Sequence, residues 1–193
     1  MYPSVFDKTI QMNPQPITLI TYGRFEREFI ESIADSVTHE YNFPVNLGES
    51  RLDLSGFYDP SRKQYDGNKL LLEVDATSSS ESFKTVGLFR VDLFIPILTY
   101  IYGQAFFNGR SAIASLFRLK NERYGMPADD LLLLERFRKE VIHELGHTFG
   151  LKHCFSLECV MKSSTYVEDI DLKKVSLCNK CREELDIVRQ MRD

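Results

Sequence analysis

The chain has 193 residues, 43% hydrophobic and 12% aromatic, with 28 Asp plus Glu against 24 Lys plus Arg. That apolar content excludes intrinsic disorder and suffices to build the core of a single domain. A net charge of -4 excludes the basic footprint of a general nucleic-acid or anionic-membrane binder.

Residues 1–16 read as an N-terminal extension; they lack the basic and apolar regions of a signal peptide. Residues 17–22 (ITLITY) read as a strand, with Gly23 placed for a strand-to-helix turn. Phe25, Phe29, Ile33 and Val37 then recur every four residues, which predicts an amphipathic helix ending before Phe43-Pro44. A short strand is expected at 45–47, a polar turn-rich stretch at 59–66, a helix at about 68–75 and a Ser-rich loop at 77–82. Strands are expected at 86–92, 99–107 and 111–119. The Asn108-Gly109 dipeptide predicts a hairpin between the last two, hence one antiparallel strand. Asp129 or Asp130 should cap a long helix from Leu131, with Leu134, Phe137, Val141, Leu145 and Thr148 on its apolar stripe. A last amphipathic helix is expected from Asn179 to Met191. No apolar run nears the roughly 20 residues of a membrane span. Cytoplasmic placement and a monomer are expected. The organisation expected is one domain over 1–193: sheet and helices over 17–150, then a metal-bearing segment over 151–193.

Four His and four Cys are ordinary totals, but seven of the eight lie between 143 and 181. His143 and His147 are four apart, so one helix projects both imidazoles to one point. Gly150 can turn the chain, and His153 can return to supply a third nitrogen to a zinc ion. Three neutral ligands leave zinc its full double charge and a fourth position for water, whose pKa would fall from about 15.7 toward about 7. Glu144 points about 100° around the helix from His143 and is the candidate general base. His39 lies outside the cluster and reads as a surface or packing residue.

Cys154-x4-Cys159 and Cys178-x2-Cys181 have the layout of a four-thiolate zinc site. Four thiolates saturate the metal, so this second zinc should be structural. Two disulfides, unligated thiols, a redox CxxC and a zinc ribbon are the alternatives; the acidic neighbours Glu158, Glu168, Asp169, Asp171, Glu183 and Glu184 oppose the last by repelling phosphate.

HELGHTFGLKH resembles the extended zinc signature of the metzincin metallopeptidases. The following Cys154, Cys159, Met161, Cys178 and Cys181 are similar to the archaemetzincin family in particular, as are SRKQY (61–65) and DLFIPILTYIYGQAF (92–106). The resemblance implies an α+β or α/β fold: a metzincin-like twisted mixed sheet with one antiparallel edge strand, the zinc-site helix below it and a zinc-stapled C-terminal segment. It also implies a methionine turn at Met161 beneath the catalytic zinc, and two zinc ions per chain.

A peptide or protein substrate is expected to lie extended along the 99–107 strand by strand addition. Tyr166 is a candidate phenolic donor to the oxyanion, and Lys152 and Lys162 are candidates for a substrate carboxylate. The expected activity is zinc-dependent peptide-bond hydrolysis; the rivals are a non-catalytic zinc-stabilised peptide- or protein-binding module of the same fold and hydrolysis of a non-peptide substrate.

Overall fold

The computed structural model describes residues 15–190; most of the expected N-terminal extension, and Met191, lie outside them. In chain order the elements are β1 (Ile17–Tyr22), α1 (Arg27–Tyr41), β2 (Val45–Ser50), β3 (Tyr58–Asp59), β4 (Gln64–Asp66), α2 (Gly67–Thr77), β5 (Lys84–Phe89), β6 (Leu93–Phe94), β7 (Gly103–Ala105), β8 (Ser111–Ser115), α3 (Asp130–Thr148), α4 (Val167–Asp171) and α5 (Asn179–Gln190). The main sheet has the order β2-β1-β5-β8-β7. Its first four strands run parallel, and β7 pairs antiparallel with β8 at the edge. A second small sheet, β3-β4-β6, flanks it. This is the expected mixed sheet with an antiparallel edge.

Strand alternation divides the core between the two faces of the sheet. Ile17, Leu19, Val86, Leu88, Ala112 and Ala114 pack with α1 and α3, whereas Tyr22, Phe89 and Ile113 pack with α2. Cover on both faces explains why all of β5 and β8 is buried. The small Ala112 and Ala114 face α3 and let it approach the sheet.

Several predicted bounds shift, each for a local reason. β2 runs to Ser50 because it pairs with β1 along its full length, from Ile17↔Val45 to Tyr22↔Ser50; as an edge strand it needs few apolar residues. The 59–66 stretch contains two strands around a tight turn, where Asp59 Oδ1 accepts from the Ser61 N–H at 2.8 Å and Lys63 takes φ 56°. The 99–107 strand shrinks to Gly103–Ala105. Upstream, Ile101 bridges to Leu93 of the small sheet, and the Leu98 and Thr99 carbonyls accept from the Arg62 and Gln64 side chains. The 111–119 strand stops at Ser115, whose hydroxyl donates to Val91 O at 2.6 Å and accepts from Phe117 N, starting a 3₁₀ turn. No helix among the described residues is long and apolar enough to cross a membrane.

Candidate metal centre and its cavity

The helix that carries His143 and His147 is fixed at both ends. Asp129 Oδ1 accepts from Leu132 N at 2.9 Å, so Asp129 is the N-cap and α3 begins at Asp130. At the other end Gly150 takes φ 87°. Gly150 N donates to His147 O and Leu151 N to Gly146 O, each at 3.0 Å, the paired bonds of a Schellman stop. The last carbonyls are shared with the rest of the fold. Asn108 N, in the hairpin turn, donates to His147 O at 2.9 Å, and the buried Lys84 Nζ donates to Thr148 O at 2.8 Å. Midway, the Tyr41 hydroxyl donates to Ile142 O at 2.7 Å.

Three imidazoles converge at this end of α3. One ring nitrogen of each of His143, His147 and His153 lies within 4.8 Å of the others, and the His143 and His147 Nε2 atoms are 3.1 Å apart. Two ligands of tetrahedral zinc with bonds near 2.05 Å are separated by about 3.3 Å, so the spacing fits that ion. His143 Nδ1 is 2.8 Å from Val160 O, and His147 Nδ1 is 2.8 Å from Leu151 O. A carbonyl only accepts, so both Nδ1 atoms carry the proton and both Nε2 lone pairs face inward. Burial lowers the pKa of all three histidines, of His143 far below its usual value. They are therefore neutral at pH 7, as metal ligands must be.

Glu144 is 6% exposed and lines a cavity of about 430 Å³ together with His143, His153, residues 98–103, residues 163–166, Glu140 and Lys173. Gly103 of β7 is what lets the edge strand lie against it. A Cβ there would sit 2.5 Å from Glu144 Cγ and 2.7 Å from Ile113 O. Burial, then the neighbouring Glu140 carboxyl, pushes the Glu144 pKa well up, while Lys173 pulls it down. Tyr166 also lines the cavity and is 65% exposed. The structure therefore brings Tyr166 and residues 98–103 to the histidines. Lys152 is exposed and does not line the cavity, and neither does Lys162, whose carbonyl instead accepts from Lys173 Nζ at 2.6 Å.

Met161 is fully buried and lies against α3 where Gly146 leaves space. A Cβ on Gly146 would come within 2.4 Å of Met161 Sδ and 3.0 Å of its Cε. A helix-interior Gly→Ala change ordinarily gains about 1 kcal/mol. Gly146→Ala is instead expected to cost about 1–3 kcal/mol through overpacking, read by denaturant unfolding; a stabilised variant would show that Met161 is not held there by contact.

The four cysteines form a second cluster. Cys154 and Cys178 Sγ are 3.7 Å apart, as are Cys159 and Cys181 Sγ. Thiolates at about 2.3 Å from a tetrahedral zinc are separated by about 3.8 Å, whereas a disulfide needs about 2.05 Å. The arrangement fits zinc and not two disulfides. Against a burial penalty that raises it, hydrogen bonds from Cys181 N–H and the neighbouring thiols hold the Cys178 thiol at about 7. The cluster is tied to the histidine site through the backbone. Cys154 N donates to Met161 O at 2.9 Å, and Val160, between Cys159 and Met161, gives its carbonyl to His143.

Sequence reading missed four residues that hold these pieces in place. Glu40 is 3% exposed; its Oε1 accepts from Leu177 N at 2.8 Å and pairs with Arg182, joining α1 to the cysteine segment. Arg136, 2% exposed, makes a two-point ion pair with Asp171, both bonds 2.6 Å, and docks α4 on α3. Glu140 lies one turn before Glu144 on α3, at a position its place beside the apolar stripe could have flagged. Lys173 carries no sequence signal at all.

The profile described as "Peptidase family M54" matches residues 55–187. The chain is 37% identical over 176 residues to the archaemetzincin of Thermococcus kodakarensis, spanning 88% of this chain and 94% of that one. It is 38% identical over 175 residues to that of Sulfolobus acidocaldarius, covering 89% and 96% respectively. The crystal structure of archaemetzincin from Methanopyrus kandleri superposes with a TM-score of 0.82 at 31% identity, covering 94% of this chain and 99% of that one. A zinc-dependent peptidase from Methanocorpusculum labreanum gives a TM-score of 0.77 at 30% identity, covering 88% and 99%. A matching profile over more than half of the chain, with relatives above 30% identity along nearly their full length, shows that the chain belongs to peptidase family M54, the archaemetzincins.

Proposed function

We propose that the chain hydrolyses peptide bonds with a zinc ion held by His143, His147 and His153 and with Glu144 as general base. A second zinc, on Cys154, Cys159, Cys178 and Cys181, is structural. The observation that carries this reading is the convergence of three neutral imidazoles at a cavity that His143, His153 and the buried Glu144 carboxyl line beside the edge strand. A zinc ion held by these three histidines would supply Lewis acidity to the scissile carbonyl and to the attacking water. Glu144 takes the proton of that water and returns it to the departing amine. No side chain forms an acyl intermediate, so the reaction is a single hydrolytic displacement.

The substrate lies extended against β7, whose outer side has no strand partner among the described residues. Main-chain hydrogen bonds then provide affinity without demanding a particular side chain. Arg62 and Gln64 hold the carbonyls of Leu98 and Thr99, so the wall of the cavity next to this strand is fixed before substrate arrives. Tyr166, which lines the cavity, donates its phenol to the oxyanion. Met161 and Gly150 support the ligands: Met161 through its contact with Gly146, and Gly150 through the chain reversal before His153. Four reduced cysteines at zinc-binding spacing fit a reducing compartment, the cytoplasm.

A peptide library read by mass spectrometry tests this. Cleavage is expected with zinc-replete protein, is expected to vanish on chelation, and should return on adding zinc. Cleavage that persists in chelator would overturn the proposal.

A further inference from the structure

Three buried ionisable groups share the catalytic cavity, and the reaction as derived uses only one of them. Glu140, Glu144 and Lys173 are 4%, 6% and 3% exposed, and all three line the cavity with His143 and His153. Glu140 and Glu144 stand one turn apart on the inner side of α3, and the Glu140 carboxyl opposes the ionisation of Glu144. Lys173, in the loop after α4, is within electrostatic reach of both. Its Nζ donates to Lys162 O at 2.6 Å and to Val160 O at 3.3 Å. Two carbonyls satisfy two of its three N–H bonds, and its charge stays in a cavity that holds two carboxyls.

Burying an ammonium costs several kcal/mol unless opposite charge stands close by, so a purely structural account must explain why a charge is kept here. Carrying a hydrogen bond to Val160 O does not, because that oxygen already accepts from His143 Nδ1. A general base, by contrast, needs its carboxylate held in one orientation; a misplacement of about 1 Å can lower the rate about 100-fold.

We propose that Lys173 is a positioning residue that fixes the Glu144 carboxylate by its charge, held in place by the Val160 and Lys162 carbonyls. This rests on Glu144 being the base. Lys173 acts through Glu144 and supplies no ligand to the metal.

The test measures kcat, KM and zinc affinity in Lys173→Met and Lys173→Arg, with Glu144→Ala alongside. Lys173→Met is expected to lower kcat about 100-fold, with KM and the zinc affinity of the histidine site within about threefold of wild type. Lys173→Arg should recover at least about tenfold of that loss, because it restores the charge. A purely structural role through Val160 would instead weaken zinc in step with activity. A kcat within about threefold of wild type in Lys173→Met, or a loss matched by lost zinc, overturns the proposal. If Lys173→Met behaves as wild type while Glu144→Ala is inactive, only the positioning role fails; an active Glu144→Ala sinks both readings. Should Lys173→Met not fold, Lys173→Gln gives the same decision: lost kcat at constant zinc affinity supports the proposal, and a kcat within about threefold of wild type overturns it.

Discussion

Glu144→Ala is expected to lower kcat for peptide hydrolysis by about 10²–10⁴-fold, the range for removing a general base, while both zinc ions stay bound. A 10³-fold loss corresponds to about 4 kcal/mol of transition-state stabilisation. Retention of metal follows from the geometry. Two of the three ligand nitrogens belong to His143 and His147, and each is oriented by a carbonyl, Val160 O or Leu151 O, that does not depend on Glu144. Alanine is also the best helix former, so α3 should persist. Zinc analysis beside steady-state kinetics checks both halves. Undiminished activity would remove Glu144 from the mechanism, and concurrent loss of zinc would assign it a role in metal binding.

Cys181→Ser is expected to release one zinc ion and to lower the melting temperature by on the order of 10–20 °C. Structural zinc contributes directly to folding free energy in small metal-stapled units. A loss of about 5 kcal/mol corresponds to about 10–20 °C in a chain of this size. Cys159 and Cys181 are 1% and 3% exposed, so metal loss leaves buried thiols with no fourth partner. The effect should reach the other centre, because Cys159-Val160-Met161 supplies both the carbonyl that orients His143 and the sulfur packed on Gly146. Losing such support lowers metal affinity by about 10–100-fold in comparable sites, while zinc-replete buffer should keep the histidine site filled. Differential scanning calorimetry with metal analysis reads both effects. An unchanged melting temperature would show that the cysteines do not staple the fold.

The parts of this molecule set by local rules were legible in the sequence. β1 is where its β-branched run placed it, α3 carries the apolar stripe read from its spacing, and Asn108-Gly109 makes the antiparallel hairpin. The histidine and cysteine clusters form because helix pitch, one positive-φ glycine and two close cysteine pairs suffice to bring the ligands together. Structure set by partners distant in the chain was not legible. β2 runs past the expected Leu47 to Ser50 only because β1 pairs with it, and residues 99–102 leave the strand because Arg62, Gln64 and Leu93 take up their backbone groups. Lys173 was invisible for the same reason: a lysine after a short helix looks solvated until Glu140 and Glu144, some thirty residues earlier, are brought beside it.

The central claim is that position divides the soft ligands into two metal sites with different jobs. Zinc per chain, measured at micromolar free zinc in wild type, His147→Ala and Cys178→Ser, tests it most directly. Two, one and one are expected, with His147→Ala folded but inactive and Cys178→Ser lowered in melting temperature. One zinc or none in wild type, or the same zinc lost in both variants, would contradict the account.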